Sequence, residues 1–326
     1  MKIVRLDIMP LAIPFIERFR HSIRDRSASD AVVVCLTFDD GTRGYGEGLP
    51  RPYVTGESVA DMVSHIAEVL WPALQDIDWS AADNIQAVAA HLPMDAPHDR
   101  VRAFNAARCA VELALVDAWS RQRGEGIGAQ LVPTNAEIRY SAVITGGAPE
   151  VAANRAKQFG RLGLTDVKMK VGLDGAIERV AAVREVIGPN APLRIDTNAA
   201  WSVSQAIETL NALVPYNIAA CEEPITPMNW QGLAQVRAET SIPIMVDESF
   251  VTMDDAHKLI DVGGADILNV RLSKCGGIAR CLEVVELARK NGLKYQIGAH
   301  VGETSILSAA GRHLAAHIGD ALFVEG

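Results

Sequence analysis

Three acidic residues recur in the middle of the chain, each at the end of a short apolar run. Asp196 ends LRID, Glu222 ends IAACE and Asp247 ends IPIMVD, at intervals of about 25 residues. Because that interval is the length of one strand-helix unit, the three carboxylates are expected at the same end of neighbouring parallel strands. The pattern predicts a β/α barrel that carries a cluster of carboxylates at its C-terminal rim.

The alternation of strand and helix continues from about residue 138 to the end of the chain. Eight segments are predicted as strands: RYSAVI, TDVKMKV, LRIDTNA, NIAACEE, IPIMVDE, ADILNVRL, LKYQIGA and ALFVEG. Eight such segments favour a closed barrel over an open sheet, and their apolar content is typical of strands covered by helices. We expect a further segment beyond Gly326 that returns to the first part of the chain.

Residues 1 to about 130 lack this repeat and predict a separate α+β domain. KIVRLDIMPL and DAVVVCLTFDD are strand-like, and the turn at Asp40-Gly41 predicts a hairpin. Helices are predicted from about Ser58 to Leu74 and from about Arg100 to Arg121. The expected fold class is therefore α/β, with an α+β domain in residues 1–130 and a barrel in residues 131–326.

Two polar stretches of the first domain, residues 16–30 and 49–57, are long for simple connections. Long loops inside compact domains are often functional. Two interpretations stay open: ordinary surface loops, or a lid over the carboxylate cluster.

The composition restricts the partners of this chain. A formal net charge of −9 without a dense Lys/Arg block argues against nucleic acid and anionic membranes as partners. No apolar stretch is long enough to span a bilayer, and the five cysteines form no Cys-x-x-Cys pair. We expect a cytoplasmic protein that acts on a small molecule.

Lysines flank the carboxylates along the chain. Strand alternation places Lys168 and Lys170 on one face, where two neighbouring ammonium groups lower the proton affinity of the better desolvated one. Alone, a Lys-x-Lys motif is common on solvated strands, so its position before the acidic strand ends carries the argument. Lys274 follows the sixth strand, on the opposite side of the predicted barrel. Two opposed bases are what inversion of a stereocentre requires.

A single acidic residue at a strand end often caps the following helix. Three in succession, each beside a second polar residue, favour a shared divalent cation, and oxygen ligands favour Mg²⁺, with Mn²⁺ as an alternative. His300 and Glu303 follow the seventh strand. His300 is either catalytic or a hydrogen-bonded rim histidine, and Glu303 either orients Lys274 or caps the next helix.

The motifs Lys-x-Lys, Asp-x-Asn, Glu-Glu-Pro, Asp-Glu-Ser and Lys-Cys-Gly-Gly, in this order, resemble the enolase superfamily, most closely its muconate lactonizing enzyme group. The resemblance covers nearly the whole chain. It implies that residues 1–130 form a capping domain whose two loops close on the substrate, and that residues 131–326 form a modified TIM barrel, (β/α)7β. The site roles that it implies are Mg²⁺ ligation by Asp196, Glu222 and Asp247, acid/base catalysis by Lys170 and Lys274, and support of Lys170 and of the substrate carboxylate by Lys168.

The resemblance also implies the reaction: abstraction of the proton α to a substrate carboxylate, with an enolate as the intermediate. Reprotonation on the other face gives a racemase or epimerase, and loss of a β-substituent gives a cycloisomerase-type reaction. Relatives of this kind are commonly symmetric homo-oligomers. The predicted substrate-binding residues are Tyr53, Tyr140, Ser141, Asn198, His300, Glu303 and Glu325.

Alternatives follow from how the motifs depart from other branches. The mandelate racemase branch, with its related acid-sugar dehydratases, pairs a histidine like His300 with an aspartate, and Arg271 stands at that place here. Dipeptide epimerases commonly carry Asp-x-Asp near the eighth strand, where this chain has FVEG with Glu325. The preferred substrate is therefore an N-acylated or N-alkylated amino acid. A non-catalytic ligand-binding barrel and a Schiff-base lysine enzyme are the remaining alternatives.

Overall fold

The structure is a computed structural model that describes residues 1–20, 25–93 and 100–326, with only the backbone described for residues 17–20, 25 and 26. The strands are β1 (Ile3–Pro10), β2 (Pro14–Arg20), β3 (Asp25–Ala28), β4 (Val32–Phe38), β5 (Arg43–Gly48), β6 (Ala142–Ile144), β7 (Val167–Lys170), β8 (Leu193–Asp196), β9 (Ala220–Glu222), β10 (Ile244–Val246), β11 (Ile267–Val270), β12 (Lys294–Ile297) and β13 (Phe323–Val324).

The helices are α1 (Val59–His65), α2 (Trp71–Leu74), α3 (Ile85–Ala89), α4 (Asn105–Gln122), α5 (Pro149–Arg161), α6 (Ala176–Ile187), α7 (Val203–Leu213), α8 (Trp230–Glu239), α9 (Met253–Val262), α10 (Leu272–Cys275), α11 (Ile278–Lys290) and α12 (Ser305–Ile318). A π-helical turn at Ile66–Leu70 joins α1 to α2, and 3-10 turns lie at Trp79–Ala81, Ile127–Ala129 and Val214–Tyr216. None of the helices in the described residues is long and apolar enough to cross a membrane.

The first part of the chain packs an antiparallel sheet, in the order β1-β4-β5, against α4. The predicted hairpin is confirmed, because β4 and β5 pair across the Asp40-Gly41 turn, where Gly41 has φ +87°. Gly46 in β5 allows the close approach of α4, since a Cβ there would lie 2.0 Å from the carbonyl oxygen of Ala110. The sheet and the helix therefore share one core.

Helix α4 begins later than the sequence pattern predicts, at Asn105 rather than near Arg100. The buried carboxylate of Glu57 accepts hydrogen bonds from the backbone N of Ala106 (3.0 Å) and of Ala107 (3.1 Å). Because the first backbone N–H groups of a helix have no partner within it, this carboxylate fixes where α4 starts.

Residues 142–324, all of them described, contain the eight predicted barrel strands as a parallel sheet in chain order from β6 to β13. The backbone N of Ser141 donates to Val324 O at 2.9 Å, which joins the first strand to the last and closes the barrel. The predicted fold is confirmed. Asp196 in β8 is the register partner of Glu222 in β9, so the first two carboxylates lie side by side.

Strand alternation divides each barrel strand between an inner and an outer face. A separate apolar cluster of Ala220, Met245, Ile267 and Phe323 lies on the inner face of the barrel. On β9 and β10 the acidic residues Glu222 and Asp247 come two positions after Ala220 and Met245, on the same face and nearer the C-terminal ends of the strands. The barrel interior is thus apolar towards one end and charged towards the mouth.

The two polar stretches of the first domain differ from the predicted irregular loops. Strands β2 and β3 pair antiparallel, so much of residues 16–30 lies in a strand pair, while residues 21–24 lie outside the described residues. Residues 49–57 are largely buried, and the guanidinium of Arg51 donates to Asp30 and to Val301 O, both at 2.7 Å. The interpretation of residues 49–57 as an ordinary surface loop is therefore wrong, and the lid role stays a prediction.

Candidate active site

A cavity of about 260 Å³ opens at the C-terminal end of the barrel, where the predicted site residues were expected. We call it the mouth cavity. It is lined by Arg51, Tyr53, Val143, Thr145, Lys168, Lys170, Asp196, Asn198, Asp247, Glu248, Arg271, Ala299, His300, Val301, Glu325 and Gly326. Most of the predicted lysines, carboxylates and substrate-binding residues are thus brought together.

Lys168 is one of the residues that line this cavity, and it lies among three carboxylates. Its Nζ is 2.7 Å from Glu222 Oε2, and 3.1 Å from both Asp196 Oδ2 and Glu325 Oε1. Burial alone disfavours the ammonium form, but the three carboxylates outweigh it and raise the pKa of Lys168. Lys168 therefore remains a cation and is unsuited to act as the base itself.

Lys170 has the opposite electrostatic environment. Its Nζ donates to Asn198 Oδ1 at 2.9 Å and is 3.9 Å from Asp196 Oδ2. Burial lowers the pKa of Lys170, and the charge of Lys168 lowers it further, against the opposing effect of Asp196. Its side chain is 17% exposed against 4% for Lys168, so Lys170 is the lysine that a substrate can reach. The lowered proton affinity that was expected for one lysine of the pair is thus found at Lys170, and burial is its larger cause.

Lys274 lies in α10, just beyond β11, and its side chain is fully buried. Its Nζ donates to Asp247 Oδ1 (2.9 Å), Asp247 O (2.9 Å) and Asn269 O (2.6 Å), and it lies 4.8 Å from the centre of the Phe250 ring. Lys274 therefore lies behind the lining of the mouth cavity, held by Asp247.

Neither role proposed for Glu303 matches its contacts. Glu303 Oε1 accepts the backbone N–H of His300 at 2.5 Å, whereas Lys274 donates its hydrogen bonds elsewhere. The N-cap of α12 is Thr304, and Glu47 from β5 accepts the backbone N–H of Leu307 at 2.9 Å. Glu303 thus shapes the loop around His300.

The carboxylates of Asp196, Glu222 and Asp247 lie at the ends of the consecutive strands β8, β9 and β10. Arg271 bridges two of them, with its Nη2 2.7 Å from Asp247 Oδ2 and 3.4 Å from Glu222 Oε1. Asn269 Nδ2 also donates to Glu222 Oε1 at 2.8 Å. Burial works against ionisation of Asp247, but Arg271 and Lys274 reverse this effect and lower the pKa of its carboxyl group.

The donor chemistry of this cluster fits Mg²⁺, because buried carboxylates are the oxygen ligands that this ion prefers. Glu248, directly after Asp247, has a buried Oε2 that lacks a hydrogen-bond partner among the described residues. In this arrangement, cationic side chains lie between the carboxylates, and within residues 1–20, 25–93 and 100–326 no three acidic, His or Cys side chains form a ready metal cage. A metal bound here would take the place of contacts that Lys168 and Arg271 now make.

The backbone is strained within two residues of Asp196 and of Glu222. Asn198 has φ +47° and Glu223 has φ +41°, in the left-handed region that non-glycine residues rarely adopt. Glu223 accepts hydrogen bonds from Asp247 N (2.7 Å) and from Ser249 Oγ (2.5 Å), which fixes this turn against the next strand. Such strain persists where surrounding contacts hold it, and it is common at functional sites.

His300 is buried at the edge of the mouth cavity, and neither ring nitrogen has a hydrogen-bond partner among the described residues. Its Nδ1 is 3.9 Å from Glu303 Oε1. Burial lowers the pKa of His300, and the charges of Arg271 and Arg51 lower it further. The imidazole is therefore neutral at neutral pH.

Three predicted substrate-binding residues, Tyr140, Ser141 and Glu303, are not part of the lining of the mouth cavity. Tyr140 lines a different cavity, together with Asp166 and Phe323, and Ser141 Oγ accepts a hydrogen bond from Arg194 at 3.0 Å inside the barrel. The reason is that Tyr140 and Ser141 precede β6, whereas the mouth lies after the strands. Val143 and Thr145 line the cavity instead, and counting residues from the end of the strand would have found them.

Sequence reasoning also missed several charged residues at the site. Arg51, Arg194 and the bridging role of Arg271 came from no motif, because their partners lie far away in the chain. A signal was available for Arg194 alone, since an arginine in the apolar strand LRID requires a buried anion as its partner.

Comparison with known proteins adds the family. The family model described as "Enolase C-terminal domain-like" matches residues 151–326. A hydrophobic dipeptide epimerase from Enterococcus faecalis is 30% identical over 319 residues, which cover 97% of this chain and 87% of that protein.

Solved structures are similar over the whole chain. The N-succinyl Arg/Lys racemase from Bacillus cereus has a TM-score of 0.88 at 27% identity. The match covers 100% of this chain and 87% of the racemase. A dipeptide epimerase from Enterococcus faecalis, complexed with Mg and the dipeptide L-Leu-L-Tyr, has a TM-score of 0.84 at 28% identity, with 100% and 90% coverage.

Proposed function

This chain belongs to the enolase superfamily, and we propose that it is a Mg²⁺-dependent racemase or epimerase of an N-substituted amino acid. One observation carries the proposal. Lys170 ends the second of the eight barrel strands, Lys274 lies in α10 just after the sixth, and the acidic residues lie at the ends of the three strands between them. Two opposed lysines on either side of a carboxylate cluster suit removal of a proton from one face of a carbon and its return to the other.

In the proposed reaction, Lys170 in its neutral form takes the proton α to the substrate carboxylate. Burial favours this neutral form, and Asn198 holds the side chain towards the cavity. Lys168 stays charged and attracts the substrate carboxylate. Lys274 gives a proton to the opposite face, for which its Nζ has to leave Asp247 and turn towards the cavity.

Asp196, Glu222 and Asp247 would hold the Mg²⁺. When bound, Mg²⁺ stabilises negative charge that develops on the carboxylate oxygens of the substrate. The related epimerase structure with Mg and a dipeptide supports this choice of metal, and we propose Mn²⁺ as a substitute.

The proposed substrate class follows from chemistry that the relatives share. A dipeptide and an N-succinyl amino acid both carry an acyl group on the nitrogen next to a stereocentre that bears a carboxylate. The mouth cavity, at about 260 Å³, suits a small molecule of this kind. We therefore propose N-acyl amino acids with compact side chains.

The environment of His300 does not support a mandelate racemase-type reaction. That reaction needs a histidine that accepts a proton, whereas His300 lies beside Arg271 and Arg51, and burial and these charges lower its pKa. The dehydratase alternative depends on the same histidine. The two-lysine reaction is the one that the charges at the mouth favour.

The test is α-proton exchange in D₂O with Mg²⁺, followed by NMR on separate L- and D-enantiomers of N-acetyl amino acids. We expect both enantiomers to lose the α-proton and to converge on a racemic mixture. Ring closure or loss of water would assign a cycloisomerase or a dehydratase. Absence of exchange with a broad set of N-acyl amino acids, with either Mg²⁺ or Mn²⁺, would contradict the proposal.

We also retain the prediction of a homo-oligomer. Light scattering of the purified protein would measure its mass directly, and a mass of 35.0 kDa would contradict the prediction.

A further inference from the structure

Arg194 is a fully buried cation inside the barrel, beneath the mouth cavity. Its Nη1 is 3.1 Å from Asp166 Oδ1 and 3.0 Å from Ser141 Oγ, and its Nη2 is 3.3 Å from Glu325 Oε1. The guanidinium carbon lies 4.1 Å from the centre of the Phe323 ring. A buried arginine is costly unless such partners hold it, so this placement is specific.

The oxygen of Glu325 that faces Arg194 also faces Lys168. Glu325 Oε1 is 3.1 Å from Lys168 Nζ, and Lys168 in turn reaches Asp196 and Glu222. A continuous row of alternating charges therefore runs from the barrel interior to the candidate metal ligands. We call Arg194, Glu325 and Lys168 the barrel charge row.

We propose that Arg194 is a positioning residue that acts on the reaction through Glu325 and Lys168. The inference rests on the proposed function. Arg194 holds the carboxylate of Glu325 in place, and Glu325 holds the ammonium of Lys168 between the metal ligands and the substrate carboxylate. Arg194 itself touches neither substrate nor metal.

The row also assigns a role to Glu325 that differs from direct substrate recognition. Both of its cationic partners are buried, so a substrate ammonium at Glu325 would compete with Lys168 and Arg194 for one carboxylate. Glu325 is thus part of the support of Lys168, and its removal should affect charged and uncharged N-acyl groups alike. The other carboxylates that line the mouth cavity are Asp196, Asp247 and Glu248.

The experiment is a double-mutant cycle with Arg194→Met, Glu325→Gln and the double variant. We expect each single variant to lower kcat for α-proton exchange by about 10- to 100-fold, with a smaller change in KM, because Lys168 is misplaced. The double variant should be no slower than the slower single variant, since both changes interrupt one row. Arg237→Met is the matched control, because it removes an arginine that pairs with a carboxylate outside the row, Asp266 at 2.7 Å, and it should keep near-wild-type kcat.

Two N-acyl substrates sharpen the test of Glu325. N-propionyl and alanyl derivatives of one amino acid differ only by an ammonium group, and Glu325→Gln should slow both by the same factor. Loss confined to the alanyl substrate would make Glu325 an ammonium receptor and overturn the inference. Independent, multiplying effects of the two substitutions would overturn it as well.

A structural readout separates this inference from the proposed function and from misfolding. Removing Arg194 leaves Asp166 without its cation, so Arg194→Met can fail to fold, and the isosteric Glu325→Gln then decides. In a crystal structure of Glu325→Gln we expect Lys168 Nζ to move away from Asp196 and Glu222. An unmoved Lys168 would contradict the inference even if the wild-type enzyme acts on no tested substrate.

Discussion

Two sets of buried carboxylates in this molecule differ in what neutralises them. Glu47 accepts hydrogen bonds from Thr304 N (2.7 Å) and Leu307 N (2.9 Å), and Glu112 accepts one from Ala279 N (3.1 Å). Asp196 and Asp247, at the barrel mouth, instead face the side-chain cations of Lys168, Arg271 and Lys274. We call the first set the capping carboxylates and the second the mouth carboxylates.

This difference distinguishes carboxylates that stabilise the fold from carboxylates that can take part in the chemistry of the site. Backbone N–H groups at a helix start cannot leave their partner without unravelling the helix, so the capping carboxylates hold the first domain against α11 and α12. Ammonium and guanidinium groups on long side chains can turn away, so the mouth carboxylates can exchange them for a metal ion. A buried acidic residue is therefore a candidate for function when its partners are side-chain cations instead of backbone N–H groups.

The largest effect on stability should come from a capping carboxylate. Glu47 is fully buried and joins β5 to the start of α12, so Glu47→Ala leaves buried N–H groups without acceptors. We expect a loss of about 3 kcal/mol or more in the free energy of unfolding, measured by urea denaturation. Asp196→Asn is the matched mouth variant and should lose about 1 kcal/mol or less. Equal losses of unfolding free energy in Glu47→Ala and Asp196→Asn would contradict the distinction between the two sets.

The mouth carboxylates should give the larger response to metal. At a Mg²⁺ concentration of about 100 times Kd, binding to the folded state adds about 2.7 kcal/mol of stability. We expect Mg²⁺ to raise the melting temperature of the wild type and of a Glu112→Gln variant, and to have little effect on Asp196→Asn. Calorimetric titration with Mg²⁺ provides the binding constants. A full Mg²⁺ response in Asp196→Asn would place the metal elsewhere.

The pH dependence of stability should change at a third capping carboxylate, Glu57. Burial, the largest cause, raises the pKa of Glu57 from 4.5 to about 7 in the folded protein. The folded state then binds more protons than the unfolded state between these values, so stability falls as pH rises from about 4.5 to about 7. Glu57→Gln should make this fall shallower, by up to about 1.4 kcal/mol per pH unit, in denaturation curves across pH 5 to 8. An unchanged slope would contradict the account of Glu57.

The barrel could be predicted from sequence because its period is local. Each strand can be predicted from a few consecutive apolar residues. The recurring Asp196, Glu222 and Asp247 mark where three successive strands end. The structure confirms the fold and gathers these acids with Lys168 and Lys170 at one mouth. The catalytic and metal-binding roles of these residues stay predictions.

The contacts that could not be predicted link residues far apart in the chain. Glu47 meets Thr304, Glu112 meets Ala279 and Arg194 meets Glu325, and no local pattern indicates which distant group each charge will meet. The same limit explains the start of α4, which a carboxylate from another segment sets. The wrong placement of Tyr140 at the mouth has a local cause. Tyr140 precedes its strand, whereas the mouth cavity lies after the C-terminal ends of the strands.

The central claim is that two lysines act on opposite faces of one carbon. The direct measurement is α-proton exchange in D₂O for Lys170→Ala and Lys274→Ala, each with separate enantiomers of the substrate. We predict that each variant lowers the rate of α-proton exchange by about 10²- to 10⁴-fold for one enantiomer, and that the affected enantiomer differs between the two variants. The exposed control Lys157→Ala should exchange both enantiomers at the wild-type rate. If both variants fail on the same enantiomer, or if either one still interconverts the enantiomers at the wild-type rate, the two-lysine account is wrong.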